Sequence, residues 1–394
     1  VWDLTRGSGI KIGVLDSGLA RSAATGGFHD DGLFFGSYGI VPLGFVDDEC
    51  SSSANLGNCT KYDDNGHGTM MAGLVGENDN NIGYVGIAPM ATTYSMKIAW
   101  NTYISGHCDN AYFSDTKFCI ENDDFARAVD YAASRGFHVL SMSFKNGGNS
   151  DVYRALATAR NSYGVFLVAS TGNTPGGSAQ EPASYDVVMG VAAVDAVGNN
   201  MYSTAARDVS GFYYGETMVA TCYQQAYCNA GSPGQVGGVA GTSTSTAIMA
   251  GIVGLIRSYH PNETVSQIWN RLVLTAEGPN KVVNAYAAIT YTRPLSVSIG
   301  GPATVAPYSS ATWTASGSGG TAPYSYTWYR DGVVVGTGAT YTGYVEDGGA
   351  QLQVNVTDAV GSTATGFRWV ATDFGTCGGV QAMALPQEPL EPCY

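Results

Sequence analysis

The stretch GGVAGTSTSTAIMAGIVGLI (residues 237–256) places five consecutive hydroxyl side chains, residues 242–246, directly before an apolar sequence of helical character. Ser and Thr are favoured at helix N-caps, but capping accounts for only some of the five. The start of a helix also carries unpaired N–H groups and positive potential, which stabilise negative charge developing on an adjacent atom. Gly241, which has no side chain, leaves room there for a substrate backbone. The stretch therefore predicts a helix whose first turn holds a candidate nucleophilic hydroxyl.

Around this helix, up to about residue 290, short apolar segments alternate with segments of helical periodicity. The predicted strands are rich in Val, Ile, Leu and Met: KIGVLDSG, TTYSMKIAW, FHVLSMSF, GVFLVASTGN and VVMGVAAVDA. Two helical segments end at Gly, a common stop signal: DDFARAVDYAASRG and NSDVYRALATARNSYG. This alternation predicts an α/β fold with a mostly parallel sheet and helices on both faces. Active sites of such sheets lie at the carboxyl ends of the strands.

The sequence changes character after Pro294. Residues 295–374 carry no helical signal and contain alternating strands with Gly-rich turns, such as SATWTAS, YSYTWYRDG and QLQVNVTDAV. This pattern predicts a small all-β sandwich with Trp328 in its core. We expect three parts: an α/β domain over residues 1–292, the sandwich over 293–374, and a Pro-rich tail over 375–394 with its own disulfide.

Charge and apolar content exclude some classes of partner. The chain has 18 basic and 32 acidic residues, a formal net charge of −14. Phosphate backbones and anionic membranes would repel such a chain, so nucleic acid is not expected as a partner. No run of about 20 apolar residues occurs, and we expect no membrane span.

The eight cysteines indicate the compartment. They lack the CxxC spacing of a zinc or redox site, and they favour short-loop disulfides formed in an oxidising compartment. Eight unrelated free thiols are the alternative, and the connectivity stays open. The opening residues VWDLTRGSGI lack the features of a signal peptide, which fits a cytosolic protein or a mature secreted one; the cysteines favour the secreted one. The pairs closest in sequence are Cys50 with Cys59, Cys108 with Cys119, Cys222 with Cys228, and Cys377 with Cys393.

Two further motifs lie at the ends of predicted elements. In IGVLDSG (residues 12–18) an apolar strand ends at Asp16, whose carboxylate is either a turn or N-cap group or a functional one. In DDNGHGTMMAGLVG (residues 63–76) His67 stands between glycines at the start of a helix, as a capping residue or as a general base. Taken alone, each motif favours the structural interpretation.

Together, LDSG, NGHGTMMAG and AGTSTSTA, in the chain order Asp, His, Ser, resemble the subtilisin-like serine proteases over about residues 1 to 290. The resemblance implies that Asp16 orients His67, that His67 is the general base, and that Ser243 is the nucleophile. Ser245 and Thr246 are then expected to satisfy N–H groups at the helix start. The implied activity is that of a secreted serine endopeptidase that works through an acyl-enzyme.

Two more segments resemble the same family. VFLVASTGNTPGG (residues 165–177) implies that the Asn173 amide, with the backbone N–H of Ser243, forms the oxyanion hole. VLSMSFKNGG (residues 139–148) resembles a substrate-binding strand, to which an extended peptide adds as a further strand. The expected substrate-binding residues are Ser141, Met142, Ser143, Phe144 and Lys145, with Gly172 near the base of the pocket. Lys145 and Asn146 stand where the family usually has two glycines, which predicts a narrower, positively charged pocket edge; Phe144 is either an apolar contact or part of the core.

GENDNNIGYVG (residues 76–86) resembles a loop that holds structural calcium in the family. The candidate ligands are carbonyl and side-chain oxygens of Asn78, Asp79, Asn80, Ile82 and Tyr84. The alternative is a polar, Asn-rich loop, because the N-terminal arm that completes the family's site is short here. We expect no cofactor for the chemistry.

The β domain resembles the immunoglobulin-like or PKD-type modules of secreted proteases, with the likeness carried by YSYTWYRDG. Its expected role is binding of an insoluble substrate or a surface through exposed rings such as those of Tyr308, Tyr329 and Tyr344, or that of a spacer. Other expected partners are a protein or peptide substrate and the chain's own prosegment. Two other functions stay open: a non-catalytic binding scaffold of the same fold, and a serine hydrolase or transacylase that acts on esters.

Overall fold

In the computed structural model, an eight-stranded sheet organises the first of two units, Val1–Tyr291; the second unit is Thr292–Tyr394. The tail predicted over residues 375–394 lies outside the described residues. The residues that the structure describes are 1–19, 34–35, 38–44, 63, 65–79, 84–101, 112–115, 118–145, 148–174, 176–194, 209–212, 218–221, 236–239 and 241–373.

Strands and helices alternate along the first unit. Its strands are β1 (Lys11–Asp16), β2 (Phe34–Phe35), β3 (Tyr38–Gly44), β4 (Thr92–Lys97), β5 (Ala99–Asn101), β6 (Tyr112–Asp115), β7 (Phe118–Ile120), β8 (Val139–Met142), β9 (Phe166–Ser170), β10 (Met189–Val194), β11 (Val209–Phe212), β12 (Met218–Thr221) and β13 (Val236–Val239). Its helices are α1 (His67–Gly76), α2 (Asn122–Ser134), α3 (Ser150–Tyr163), α4 (Thr242–Tyr259), α5 (Val265–Thr275) and α6 (Ala285–Thr290).

The main sheet has the strand order β11-β10-β9-β8-β1-β4-β3-β2. Every neighbouring pair is parallel except β2 with β3. Apolar side chains leave it on both faces: Ile12 and Val14 pack into a cluster with α1 and α4, whereas Leu15 packs into a second cluster with α2 and α3. The predicted α/β class, with helices on both faces of a mostly parallel sheet, is confirmed.

Local signals define the helix ends. The Asn149 side chain accepts the Val152 N–H at the start of α3, and Gly164 ends that helix in a left-handed conformation, as its sequence predicts. Helix α5 begins with a capping box between Thr264 and Gln267. Within the described ranges, no helix combines the length and the apolar content needed to cross a membrane.

The topology determines where polar side chains can gather. Strand β1 lies between β4 and β8, so the chain leaves β1 toward one side of the sheet and later leaves β8 toward the other. Such a switch point opens a crevice outside the carboxyl ends of the strands. Asp16 ends β1, and Ser143 directly follows β8.

The described part of the second unit contains two β-sheets. Its strands are β14 (Ser296–Gly300), β15 (Thr304–Val305), β16 (Ser310–Ser318), β17 (Ser325–Arg330), β18 (Val333–Thr337), β19 (Thr340–Tyr344), β20 (Ala350–Thr357) and β21 (Thr363–Thr372). The sheets have the orders β14-β16-β19 and β15-β21-β20-β17-β18. Both contribute to one core, in which Trp313, Tyr341 and the fully buried Trp328 form ring contacts. The predicted all-β sandwich, with Trp328 in its core, agrees with this architecture.

Cys119 is the one cysteine within the described ranges, and it is disulfide-bonded and buried in the small sheet β5-β7-β6. Its predicted partner Cys108 and the other six cysteines lie outside those ranges. The four pairings therefore stay predictions.

Candidate active site

The end of β1 meets the start of α1 through an acid–histidine pair. His67 Nδ1 lies 2.9 Å from each carboxylate oxygen of Asp16, and Asp16 is 2% exposed. The Ser17 N–H also donates to Asp16 Oδ1 at 2.8 Å. Because a carboxylate only accepts hydrogen bonds, Nδ1 carries a proton. In the neutral ring, Nε2 is then the basic nitrogen.

This pair requires a close approach of two backbone segments. A Cβ atom added at Gly68 would lie 2.5 Å from the Gly18 carbonyl oxygen and 3.0 Å from the Ser17 nitrogen. Both are backbone atoms, which cannot give way cheaply. Gly68 therefore allows the first turn of α1 to rest on the chain that leaves β1, and this contact holds His67 against Asp16.

Asp63, to which the sequence analysis gave no role, connects the two segments. It is 5% exposed. Its Oδ1 accepts from Ser17 Oγ at 2.8 Å and from the Asn65 and Gly66 N–H groups at 3.0 and 2.8 Å. Its Oδ2 accepts from the N–H and the hydroxyl of Thr69 at 2.8 and 2.6 Å. One carboxylate thus caps α1 and ties it to the residue after Asp16. The feature of the sequence that could have indicated this role is an Asp four residues before a His flanked by glycines.

The nucleophile candidate lies in the first turn of α4. Ser243 Oγ donates to the Ser143 carbonyl at 3.0 Å, and Ser143 Oγ donates to the Ser243 carbonyl at 3.0 Å. This reciprocal pair joins the start of α4 to the chain that leaves β8. The expectation that Thr246 satisfies an N–H group at the helix start was wrong: its hydroxyl donates to the Thr242 carbonyl at 2.8 Å. In an α-helix a Thr hydroxyl can reach the carbonyl four residues earlier, so Thr246 bonds within the helix. The N-cap is Gly241, which has no side chain, and the Thr242 N–H donates to Asn173 Oδ1 instead. The expectation for Ser245 stays a prediction.

Asn173 follows β9 and faces the same helix start. Its Oδ1 accepts the Thr242 N–H at 2.9 Å and the Thr242 hydroxyl at 2.8 Å. These donors identify the oxygen of the amide, so Nδ2 is the atom left to donate. Gly241 (φ +124°) allows this approach, because a Cβ there would lie 3.0 Å from Nδ2. Thr242 thus fixes the orientation of the Asn173 amide, a role that was not predicted from the sequence.

One cavity of about 470 Å³ brings these groups together. It is lined by Asp16, His67, Ser243 and Asn173 along with residues of the β8 and β9 ends. Of the predicted substrate-binding residues, Ser143, Phe144, Lys145 and Gly172 line it as well. Lining residues that the sequence analysis did not name are Ala99, Ile120, Ser170, Thr171, Thr174, Gly177, Ser178, Gln180 and Thr242.

The other predicted substrate-binding residues lie elsewhere. Ser141 and Met142 are fully buried within β8 and do not line the cavity, because a strand inside a covered sheet turns side chains into the apolar layers on both faces. Phe144 is 8% exposed, and its ring meets the Phe125 ring edge-on at 5.2 Å in the second apolar cluster. Of the two interpretations of Phe144, the core one fits this packing.

The predicted calcium loop follows α1. Asn80 and Ile82 lie outside the described residues. Asp79 pairs with the Arg6 guanidinium, Asn78 is buried, and Tyr84 packs against the first apolar cluster. Within the described ranges, no cluster of three or more His, Cys, Asp or Glu side chains is placed to hold a metal. Arg6 engages one of the two Asp79 carboxylate oxygens. The calcium site therefore stays a prediction.

Comparisons with known proteins agree with this architecture. The family model described as the subtilase family matches residues 7–288. The thermostable alkaline protease of Halalkalibacterium halodurans is 28% identical over 271 residues, which is 68% of this chain and 63% of that protein. Subtilisin Savinase of Lederbergia lenta is 29% identical over 271 residues, 68% of this chain and 84% of that one. The M-protease of Shouchella clausii is 29% identical, with 69% of this chain matching 60% of that protein, so the chain spans about three fifths of the length of some of these relatives.

Solved structures share the fold. MycP1 with its N-terminal propeptide removed superposes with a TM-score of 0.55 at 24% identity, covering 74% of this chain and 95% of that one. The MycP3 protease from the type VII (ESX-3) secretion system gives a TM-score of 0.53 at 21% identity, covering 74% of this chain and 85% of the other. The family match over residues 7–288, together with this fold, shows that the chain belongs to the subtilase family.

Proposed function

We propose that the chain is a serine endopeptidase in which Asp16, His67 and Ser243 form the catalytic triad. The observation that carries the proposal is the His67–Asp16 hydrogen bond of 2.9 Å at a cavity that Ser243 and Asn173 also line. An imidazole held by a buried carboxylate is suited to act as a general base toward a hydroxyl that is otherwise a weak nucleophile. The subtilase relatives named as proteases support the same activity.

The reaction follows from these positions. The Ser243 hydroxyl turns from the Ser143 carbonyl toward His67, gives its proton to Nε2, and its oxygen bonds to the substrate carbonyl carbon. The Asp16 carboxylate stabilises the imidazolium that forms. Breaking of the C–N bond releases the amine, which takes the proton from His67. Water then gives a proton to His67 and attacks the acyl-enzyme, and the acid leaves with Ser243 restored.

The oxyanion of the tetrahedral intermediate needs fixed donors. We assign this role to Asn173 Nδ2 and the Ser243 backbone N–H. Thr242 holds Asn173 by its oxygen, so the amide does not have to reorient when charge develops. Donors that are fixed before the reaction stabilise the transition state without a reorganisation cost. We expect Asn173→Leu to lower kcat by about 10²–10³-fold with little change in KM, as is typical for losing one such donor.

The test compares the parent chain with Ser243→Ala on denatured casein, with cut positions read by mass spectrometry. The parent should cleave and should react with a serine-directed fluorophosphonate at Ser243. The variant should not react, and its rate should fall by about 10⁴-fold or more. Thr246→Ala, which removes a nearby hydroxyl that bonds within the helix, serves as the control and should retain cleavage. A folded parent that neither reacts nor cleaves would support the non-catalytic scaffold.

An esterase or transacylase would use the same groups. Matched ester and amide substrates separate these functions, because a peptidase accelerates both hydrolyses whereas an esterase leaves the amide intact. A transacylase would form a new amide or ester when a second nucleophile is supplied. The subtilase relatives named as proteases favour amide hydrolysis.

We further propose that the protein is secreted, that it forms the four predicted disulfides, and that a prosegment is removed from it. The disulfide-bonded state of Cys119 and the likeness to alkaline proteases support the proposal. Peptide mapping without reduction would identify the four pairs. Recovery of all cysteines as alkylated thiols from native protein would contradict it.

For the second unit we propose the predicted immunoglobulin-like or PKD-type role of binding an insoluble or surface ligand. Phe367 and Trp369 are 62% and 59% exposed and, two residues apart on β21, share one face of the sheet. Tyr308 and Tyr344 are also exposed, with ring centroids 6.4 Å apart. Co-sedimentation with insoluble protein and polysaccharide particles should weaken in Trp369→Ala but not in the control Val360→Ala. A parent that stays in the supernatant with every particle would favour the spacer.

A further inference from the structure

We propose that the cavity beside Ser243 selects substrates with an acidic side chain, Glu or Asp, on the residue whose carbonyl is attacked. This inference rests on the proposed peptidase function and concerns its substrate class. It is carried by Lys145, by the polar groups that share its cavity, and by the burial of Phe144.

The walls of the cavity are the segments that leave β8 and β9. These strands are parallel neighbours, with Met142 opposite Ala169. Beyond that register, residues 143–145 and 170–172 continue side by side, and Ser170 Oγ lies 3.5 Å from the Phe144 carbonyl oxygen. All six residues line the cavity that Ser243 and Asn173 also line. A side chain entering between these walls lies next to the nucleophile.

The position of the attacked carbonyl determines which substrate side chain enters the space between these two walls. Its oxygen points at Asn173 Nδ2 in the proposed mechanism, and Gly172 directly precedes Asn173 in the wall. Gly172 has φ +105°, and a Cβ added there would meet no heavy atom within 4 Å. The wall is therefore open beside the oxyanion position, and the side chain of the acyl residue has room to enter there.

The described lining of the cavity offers a cation and no available carboxylate. Among the described residues, Lys145 has no acidic side chain within ion-pair distance, although it lines the cavity. The one carboxylate among the described lining residues is that of Asp16, which is engaged by His67 and by the Ser17 N–H. An acidic substrate side chain would supply the missing partner, whereas a basic one would be repelled.

The other residues that line the cavity favour a polar substrate side chain. Thr174, Ser178 and Gln180 add hydroxyl and amide donors to the lining of the cavity. Phe144, the large ring in the wall, packs against Phe125 in the core. A bulky apolar side chain would remove water from Lys145 without giving it a partner, which costs free energy. Carboxylates accept from both ammonium and amide donors, so they match this set.

The experiment uses a series of internally quenched peptides that differ only at the residue before the cleaved bond: Glu, Asp, Gln, Phe and Lys. The Glu–Gln pair differs in charge at constant shape. We expect kcat/KM for Glu to exceed that for Gln by roughly two- to fivefold, the factor that corresponds to one exposed ion pair. The preference should shrink as ionic strength rises.

Variants identify the residue responsible. Lys145→Met should bring the Glu and Gln peptides to equal kcat/KM, and Lys145→Glu should favour the Lys peptide. Lys281→Met, which removes an exposed lysine far along the chain from the cavity residues, should leave the preference intact. Equal cleavage of all peptides, or a preference for Phe that Lys145→Met leaves unchanged, would overturn this inference alone. Failure to cleave any peptide or to react with fluorophosphonate would overturn the proposed function and this inference with it.

Discussion

Replacing Asp63 by Asn tests whether one buried carboxylate holds the acid–histidine pair in place. The carboxylate accepts five hydrogen bonds, three at Oδ1 and two at Oδ2. An Asn amide has one acceptor oxygen and can keep either set but not both. If the Asn oxygen keeps the three hydrogen bonds that Asp63 Oδ1 accepts, the Asn Nδ2 points at the Thr69 N–H. Two hydrogen-bond donors then face each other in a buried position.

The size of the loss follows from these contacts. Losing two hydrogen bonds to a charged group and leaving the Thr69 N–H unsatisfied costs roughly 2–4 kcal/mol of unfolding free energy. For a unit of this size the corresponding fall in Tm is about 4–8 °C. His67 would also shift against Asp16, because the lost bonds to Thr69 hold the first turn of α1, in which His67 lies. Small displacements of a catalytic group lower kcat by up to about 10²-fold.

Two measurements separate stability from positioning. Thermal unfolding by circular dichroism gives the change in Tm, and the rate of fluorophosphonate labelling at a temperature where both proteins are folded reports on the reactivity of Ser243. Asp130→Asn, an exposed carboxylate on α2, is the matched control and should change unfolding free energy by less than about 0.5 kcal/mol. Equal Tm values and labelling rates for the two variants would refute the role given to Asp63.

Three further outcomes are expected. Gly241→Ala should lower kcat by roughly tenfold or more with a smaller change in KM, because the new Cβ presses on Asn173 and the backbone φ of +124° disfavours any side chain; an unchanged kcat would contradict this. Burial, then the charges of Arg257 and Lys11, lower the pKa of His138, whose Nδ1 accepts the Lys11 N–H. Because the folded state favours the neutral ring, His138 should contribute fully to the unfolding free energy above its unfolded-state pKa of about 6.5, and this contribution should be lost as pH falls through the folded-state pKa. His138→Asn should therefore weaken the dependence of the unfolding free energy on pH in this range. A chelator should leave the parent's Tm unchanged, since Arg6 already neutralises Asp79; a fall of several degrees reversed by added calcium would instead support a cation in that loop.

The parts of the fold that sequence predicted are those with short-range signals. The β1, β8 and β9 segments are rich in apolar residues, and α3 carries a start residue and a glycine stop. Strand–helix alternation then requires a parallel sheet, which places Asp16 and Asn173 at one edge. Their convergence therefore follows from chain order and the rule for parallel sheets.

The parts that sequence did not predict depend on contacts between distant segments. The five hydroxyls of the first stretch indicated capping, but the Thr242 N–H is satisfied by Asn173, which is far away in sequence and in a different element. The role of Asp63 was not predicted because it depends on a hydrogen bond from Ser17, which follows β1 and is distant in sequence. Ser141 and Met142 were included because serine alternates with apolar residues from Leu140 to Phe144, so the sequence does not mark where the strand ends and the cavity begins.

These contacts divide the site into two groups with different constraints. The first group contains the proposed catalytic side chains, each of which is held by a hydrogen bond from a neighbouring element. Thr242 holds Asn173, Ser143 holds Ser243, and Asp16 holds His67. Asp63 ties the segment that carries His67 to the chain after Asp16. Such networks respond strongly to the loss of one partner.

The walls of the cavity lack this coupling. Among the described residues, the Lys145 and Gln180 side chains have no hydrogen-bond partner, although both line the cavity. Substitution there should change substrate preference while Tm stays within the range of ordinary surface variants. Lys145→Met that shifts preference without lowering Tm, beside Asp63→Asn that lowers both Tm and labelling rate, is the pair of results that this division requires. It follows that selectivity in this chain can vary independently of the machinery that positions the nucleophile.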